Sequence, residues 1–214
     1  MALIKSALEI ALEKTKDMKV DPEALEAAQL KADGKRAAGL FLDNPASVDL
    51  AKKLAELPKD KRRHMKEGMH EVLSAQIQLP TNEGAGLKLD ALAKGYVALC
   101  GDSGLLGGPL GGAMAEKKIQ ALFQQLTAFF NQYLGDMKNV EQAIKKQWAP
   151  KLREKERQMA ARLGQDVHLD PMMDPEFAAF YKQNVGSVRQ QYEAALAKAK
   201  ADLANIVGIE KNSD

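Results

Sequence analysis

The sequence is poor in several residues on which folds and sites commonly depend. It contains one cysteine, Cys100, which excludes an internal disulfide framework and favours a reducing compartment. We interpret Cys100 as a buried structural thiol. Aromatic residues make up only 5% of the chain, which favours helix packing over a sheet sandwich. The net charge of +2 is too small to indicate a nucleic-acid partner by itself.

Long hydrophobic runs are also missing. No apolar stretch approaches the roughly 20 residues that a membrane span needs. The first residues alternate apolar and charged side chains at helical spacing, whereas a signal peptide would show a continuous apolar stretch. We therefore expect a soluble, cytoplasmic protein with no membrane span.

Helix-forming patterns fill most of the sequence. The chain of 214 residues, 45% of them hydrophobic, is long enough for a substantial core. Asp21-Pro22 and Asp174-Pro175 each combine a capping acid with a proline at the first helical position, which indicates a helix start. We predict an all-α bundle of seven to eight helices. The predicted ranges are 2–18, 22–42, a short helix between Asn44 and Pro58, 58–78, 87–99, 113–133, 140–163 and 174–207.

Six glycines between Gly101 and Gly112 interrupt these patterns. Glycine loses the most backbone entropy on ordering, so the segment predicts a connection and not a helix. It would join an N-terminal part, 1–80, to a C-terminal part, 113–214, through a connecting segment, 81–112. The alternative that 1–214 forms a single domain stays open.

The glycine-rich segment also contains apolar residues, which must pack on the core or contact a partner. They form a candidate partner-contact loop, which consists of Leu105, Leu106 and Leu110.

Two further features concern the C-terminal part. Pro150 lies inside an otherwise helical pattern and predicts a kink or break near Trp148 and Ala149. The final helix would span about 50 Å at 1.5 Å per residue. Because a small bundle does not cover a helix of that length, the pattern favours pairing of its end with another chain.

A short stretch of the chain looks like part of a hydrolase. Residues 96–103 resemble the first block of the Gly-Asp-Ser-Leu esterases, and that resemblance implies Ser103 as the nucleophile. The family's Gly-x-Asn-Asp block is missing, and Asp166 and His168 do not have the spacing of its Asp-x-x-His element. Because the phosphate-loop and dinucleotide fingerprints are missing too, we predict no cofactor.

One cluster has the spacing of metal ligands. Glu67 and His70 form a Glu-x-x-His element, which places both side chains on one helix face as in di-iron bundles, and His64 and Glu71 lie nearby. A second such element is missing, and the basic residues of 59–66 repel a cation. We therefore predict no bound metal.

Basic residues concentrate in 59–66 and in 145–162. They are able to follow a phosphate backbone while Trp148 stacks on a base. The alternative is a solvated helix face on which Trp148 anchors the helix to the core. The candidate basic face consists of Lys145, Lys146, Trp148, Lys151 and Arg153.

Three functions follow from these patterns. We expect a non-enzymatic helical scaffold or adaptor that acts through protein–protein contacts as an oligomer, because catalytic side chains are absent or unpaired while apolar helix faces are abundant. The first alternative is a nucleic-acid-associated helical protein that uses its basic faces. The second alternative is a serine hydrolase that uses Ser103.

Overall fold

The computed structural model describes residues 21–82, 86–101 and 109–209, with the side chains of 21–82, 89–101 and 112–209. Over these residues the protein is all-helical and has no strand. It has six α-helices there and not seven or eight; the helix predicted for 2–18 lies outside the described residues. The helices are α1 Pro22–Asp43, α2 Leu50–Ala55, α3 Lys59–Ala75, α4 Gly86–Cys100, α5 Pro109–Leu163 and α6 Pro175–Ile206, with a short 3-10 helix at Pro171–Met173.

The chain divides into two compact units, Met1–Val72 and Leu73–Asp214. We call them unit 1 and unit 2 and describe each by itself. The domain division expected from the sequence, at 80 and 112, stays a prediction. Within the described residues, no helix combines the length and the apolar character needed to cross a membrane.

In unit 1, two glycines bring α1 and α3 into backbone contact. A Cβ atom added at Gly34 would overlap the carbonyl oxygen of Met65, and one added at Gly68 would overlap the carbonyl oxygen of Lys31. The two helices therefore approach more closely than any side chain at these positions would permit. Gly39, also in α1, faces open space instead.

Ion pairs flank this glycine contact. Lys31 and Lys35 of α1 bind the Glu71 carboxylate of α3 at 3.2 and 3.0 Å, and Lys61 pairs with Glu26. Hydrogen bonds from the two lysines lower the pKa of Glu71. Because these side chains are exposed, each pair contributes little to stability, and the glycine contact determines how α1 and α3 pack.

In unit 2, α5 is the longest element and packs against both α4 and α6. Its 55 residues correspond to about 82 Å at 1.5 Å per residue. The sequence predicted two helices here, 113–133 and 140–163, and that division is wrong. The start at Pro109 also makes the end of the glycine segment, Pro109–Gly112, helical and not part of a loop.

The helix also continues through Pro150, so of the kink or break predicted near Trp148 and Ala149 the break is absent. A proline inside a helix removes one hydrogen bond and costs about 3 kcal/mol. Trp148 packs against α6 directly beside it, with ring centroids 5.2 Å from Phe180 and 5.9 Å from Phe177. Burial of these large side chains offsets the cost of the proline, because each contributes roughly 1.5–3 kcal/mol.

Aromatic and polar contacts continue along the antiparallel pair of α5 and α6. Tyr181 donates a hydrogen bond to the Glu141 carboxylate at 2.8 Å. Tyr192, farther along α6, donates to the Asp136 carboxylate, and its ring lies 5.0 Å from that of Tyr133. The contacts move toward the start of α5 as α6 proceeds, so the two helices form a hairpin.

The start of α6 is the one that the sequence predicted. The Asp174 carboxylate accepts hydrogen bonds from the backbone N–H groups of Glu176 and Phe177, and Pro175 occupies the first helical position. Lys155 of α5 binds the same carboxylate at 2.6 Å. These hydrogen bonds, led by that from Lys155, lower the pKa of Asp174. Asp174 therefore caps α6 and ties it to α5 at the same time.

The glycine contact of unit 1 predicts opposite effects of the same substitution at different positions. Gly34→Ala and Gly68→Ala should each lower the free energy of unfolding by about 1–3 kcal/mol, because the backbones must separate to admit a methyl group. Gly39→Ala is the matched control and should raise it by up to about 1 kcal/mol, since alanine favours the helix and meets no atom there. Urea unfolding measures all three; equal effects would contradict the close contact.

The Tyr192 hydrogen bond predicts a loss of stability at alkaline pH. Burial, together with the hydrogen bond to the Asp136 carboxylate and its charge, raises the pKa of Tyr192 to about 12. An unfolded tyrosine loses its proton near pH 10, so this contribution is complete below pH 10 and is lost as the pH rises toward 12. Tyr192→Phe should cost about 1 kcal/mol at neutral pH.

The measurement is urea unfolding of the wild type and Tyr192→Phe at neutral pH and from pH 9 upward. The difference in unfolding free energy between them should shrink as the pH rises, because the variant has no proton to lose at this position. A difference that is independent of pH would show that Tyr192 does not carry the raised pKa.

Candidate functional site

The glycine-rich segment lies mostly outside the described residues. Leu105 and Leu106 of the predicted partner-contact loop are among those outside, as is Ser103, the nucleophile of the hydrolase alternative. Leu110 falls in the first turn of α5, so its backbone is helical. Cys100, the last residue of α4, is buried at 1% exposure, which confirms the predicted burial of its thiol.

The candidate basic face lies on α5. Lys145, Lys146, Lys151 and Arg153 are exposed there, but Trp148 is buried at 7% exposure. Lys151 Nζ lies 4.3 Å from the centroid of the Trp148 ring, a cation–π contact. Among the described residues, the Trp148 Nε1 atom has no hydrogen-bond acceptor. Stacking of a base on this ring would require displacement of its aromatic neighbours on α6.

The carboxylates of the cluster with metal-ligand spacing, for which no bound metal was predicted, bind basic side chains. Glu71 is held by two lysines of α1, and Glu67 accepts a hydrogen bond from Arg63 at 3.0 Å, with His64 Nδ1 at 3.9 Å. Nowhere in the described part of the chain do three or more His, Cys, Asp or Glu side chains lie close enough to hold a metal ion. The cluster acts as part of an exposed ion-pair network.

A group of exposed apolar side chains lies where α5 ends and α6 begins. We call this group the hairpin tip, and its exposed fractions are large for apolar residues. The sequence did not predict this group, because its members belong to two segments, the end of a helix and the connection that follows it; the adjacent pair of methionines is the signal that marks it. The hairpin tip consists of Met159 (38% exposed), Leu163 (58%), Met172 (52%) and Met173 (81%).

Local contacts hold the segment between the helices against α5. Gly164 ends α5 with a positive φ of 69°, a conformation that favours glycine. The Glu156 carboxylate of α5 then accepts hydrogen bonds from the Leu169 backbone N–H at 3.0 Å and pairs with His168 Nδ1 at 3.0 Å. The connection is therefore fixed to α5 over at least two of its residues.

The same contacts bring the two parts of the hairpin tip together. Lys155 and Met159 lie one turn apart on α5 and share a face. Asp174 binds Lys155, and the two methionines of the 3-10 helix immediately precede Asp174 in the chain. The Asp170 side chain caps that 3-10 helix by accepting from the Met172 N–H at 2.9 Å. Apolar side chains from α5 and from the connection therefore share one end of the hairpin.

Charged residues of both signs surround the hairpin tip. Arg157 and Arg162 are exposed on α5, while Asp166 and Asp170 are exposed on the connection. None of these four forms a salt bridge with another described residue. The positive charges lie on α5 and the negative charges on the connection, an arrangement that is suited to contact with a protein surface.

Comparisons with known proteins identify a family. No curated protein and no solved structure matches this chain. Residues 51–205 match a family described as a family of unknown function, DUF6657. The matched residues begin in α2 and end one residue before the end of α6, so they include the hairpin tip and all but the last residue of the hairpin. Because the match spans more than half of the sequence, the chain belongs to the DUF6657 family.

Proposed function

We propose that this protein is a non-enzymatic helical scaffold or adaptor that acts through protein–protein contacts. The hairpin tip is its contact surface, and a second copy of the chain is the partner that it binds first. The observation that carries the proposal is the exposure of four large apolar side chains at one end of a two-helix hairpin. A bundle arrangement of the helices and a cytoplasmic location belong to the same proposal, the latter supported by the single cysteine.

Apolar exposure supports a protein partner. Burying a methionine or leucine side chain contributes roughly 1.5–3 kcal/mol. A partner that covers these four exposed side chains would therefore gain a substantial free energy of binding. Methionine is flexible and polarisable, which allows it to fit varied partner surfaces. The capped start of α6 and the Glu156 contacts hold these side chains on an ordered backbone, so binding requires little further loss of backbone entropy.

Charge supports a second copy as that partner. In a two-fold symmetric contact the same surface is present on both copies, so the positive residues of one copy must lie opposite the negative residues of the other. Here Arg157 and Arg162 of one copy would face Asp166 and Asp170 of the other, while the apolar residues meet at the centre. This pattern of apolar centre and charged rim is typical of protein interfaces.

Neither alternative function has a supporting contact among the described residues. The nucleic-acid hypothesis keeps its exposed basic face at Lys145, Lys146, Lys151 and Arg153, but its aromatic member is buried. The hydrolase hypothesis depends on Ser103, which lies outside the described residues. Both stay predictions.

The test is the oligomeric state of the full chain. Sedimentation velocity over a range of micromolar concentrations should show a reversible dimer. Met172→Ser combined with Met173→Ser should weaken that dimer at least about tenfold, because a loss of 1.4 kcal/mol already has that effect. Met114→Ser is the matched control, since Met114 is 56% exposed near the start of α5, and it should dimerise like the wild type.

A charge exchange separates self-association at the hairpin tip from non-specific association of apolar surface. Arg157→Glu with Arg162→Glu should weaken the dimer, and so should Asp166→Lys with Asp170→Lys. A mixture of the two double variants should restore association, because opposite charges then face each other. A wild type that is monomeric at every concentration, or a tip variant that dimerises normally, would contradict the proposal.

A further inference from the structure

A cleft in unit 2 lies away from the hairpin tip. It has a volume of about 330 Å³ and lies between the segment that follows α3 and the C-terminal half of α6. Ile77, Leu79 and Leu196 provide apolar wall, and Arg189, Glu193 and Lys200 provide charged groups. The volume is within the range of small-molecule sites, near its lower limit.

The charges of the cleft do not balance. Arg189 Nε donates to the Glu193 carboxylate at 2.8 Å, so these two groups neutralise each other. Lys200 forms no hydrogen bond or salt bridge with any described residue. Partial burial lowers the pKa of Lys200, since desolvation disfavours its charged form. Within the part of the chain that the structure describes, one cation without a counter-charge therefore lies beside an apolar wall.

Such a cation gains most from an anion that enters the same cleft. A charge-assisted hydrogen bond to a carboxylate compensates the desolvation of the ammonium group. Leu79, the partly exposed member of the apolar wall, would remain in contact with water if the anion were small and polar. The best match is an anion of single charge that also carries an apolar chain.

We propose that this cleft binds a small amphiphilic carboxylate. The carboxylate accepts a hydrogen bond from Lys200 Nζ, and the aliphatic chain lies against Ile77, Leu79 and Leu196. A linear chain of about eight carbons suits a site of this size. This inference does not rest on the proposed self-association, because none of the cleft residues belongs to the hairpin tip.

The probe is octanoate, titrated into the full-length ¹⁵N-labelled protein and followed by amide chemical shifts. Saturable shifts should concentrate in 77–79 and 193–200. Acetate has the charge without the chain, and octanol has the chain without the charge. Each should bind at least about tenfold more weakly than octanoate. Acetate lacks the apolar contact and octanol lacks the carboxylate contact, and the loss of either should reduce the binding free energy by more than about 1.4 kcal/mol.

Two variants test the role of the lysine. Lys200→Gln should weaken octanoate binding at least about tenfold while octanol binding stays unchanged. Lys182→Gln is the matched control, because Lys182 is an exposed lysine of α6 that does not line the cleft. Amide spectra of both variants should retain the dispersion of the wild type, which shows that they fold.

Three results would overturn the inference. Octanoate shifts located outside 77–79 and 193–200 would place binding elsewhere. Equal binding of octanoate to Lys200→Gln and to the wild type would show that Lys200 does not bind the carboxylate. Absence of saturable octanoate binding by the wild type would show that the cleft takes no such ligand.

Discussion

The stacking of Trp148 on Phe180, with the edge of Phe177 against the same ring, joins α5 to α6 directly beside Pro150. A proline at this point would otherwise favour an end to the helix. Ile144 and Leu152 extend the apolar contact by one turn in each direction. The continuity of α5 therefore depends on a tertiary contact, and the position of everything at the end of the hairpin depends on α5.

From this contact the hairpin extends in both directions. Toward its tip, Lys155 binds the Asp174 cap of α6, and Glu156 holds the connection, so the exposed methionines keep a defined place. In the other direction, hydrogen bonds from Tyr181 and Tyr192 keep α6 on the earlier turns of α5. The proposed contact surface lies at the end of α5 and in the connection before α6, whereas the proposed carboxylate cleft lies along the C-terminal half of α6.

The sequence predicted those features of the fold that depend on interactions within one helical turn. Asp21-Pro22 and Asp174-Pro175 begin helices because cap and proline act within one turn. The continuity of α5 was not predictable in this way, since Pro150 indicates a kink or break until the packing of Trp148 on α6 is known. Gly34 likewise marks a weak point in an isolated helix, yet here it permits backbone contact. The hairpin tip was missed because its members come from two segments that only the fold brings together.

The most direct measurement is a distance along α5 that crosses both points where the sequence predicts an interruption. Spin labels at the exposed positions Asn131 and Arg157, introduced with Cys100 replaced by serine, give that distance by pulsed electron paramagnetic resonance. A continuous helix predicts one narrow distribution near 39 Å, or about 1.5 Å for each residue between the labels. A clearly shorter or broad distribution would contradict a continuous α5 and, with it, the ordered hairpin tip.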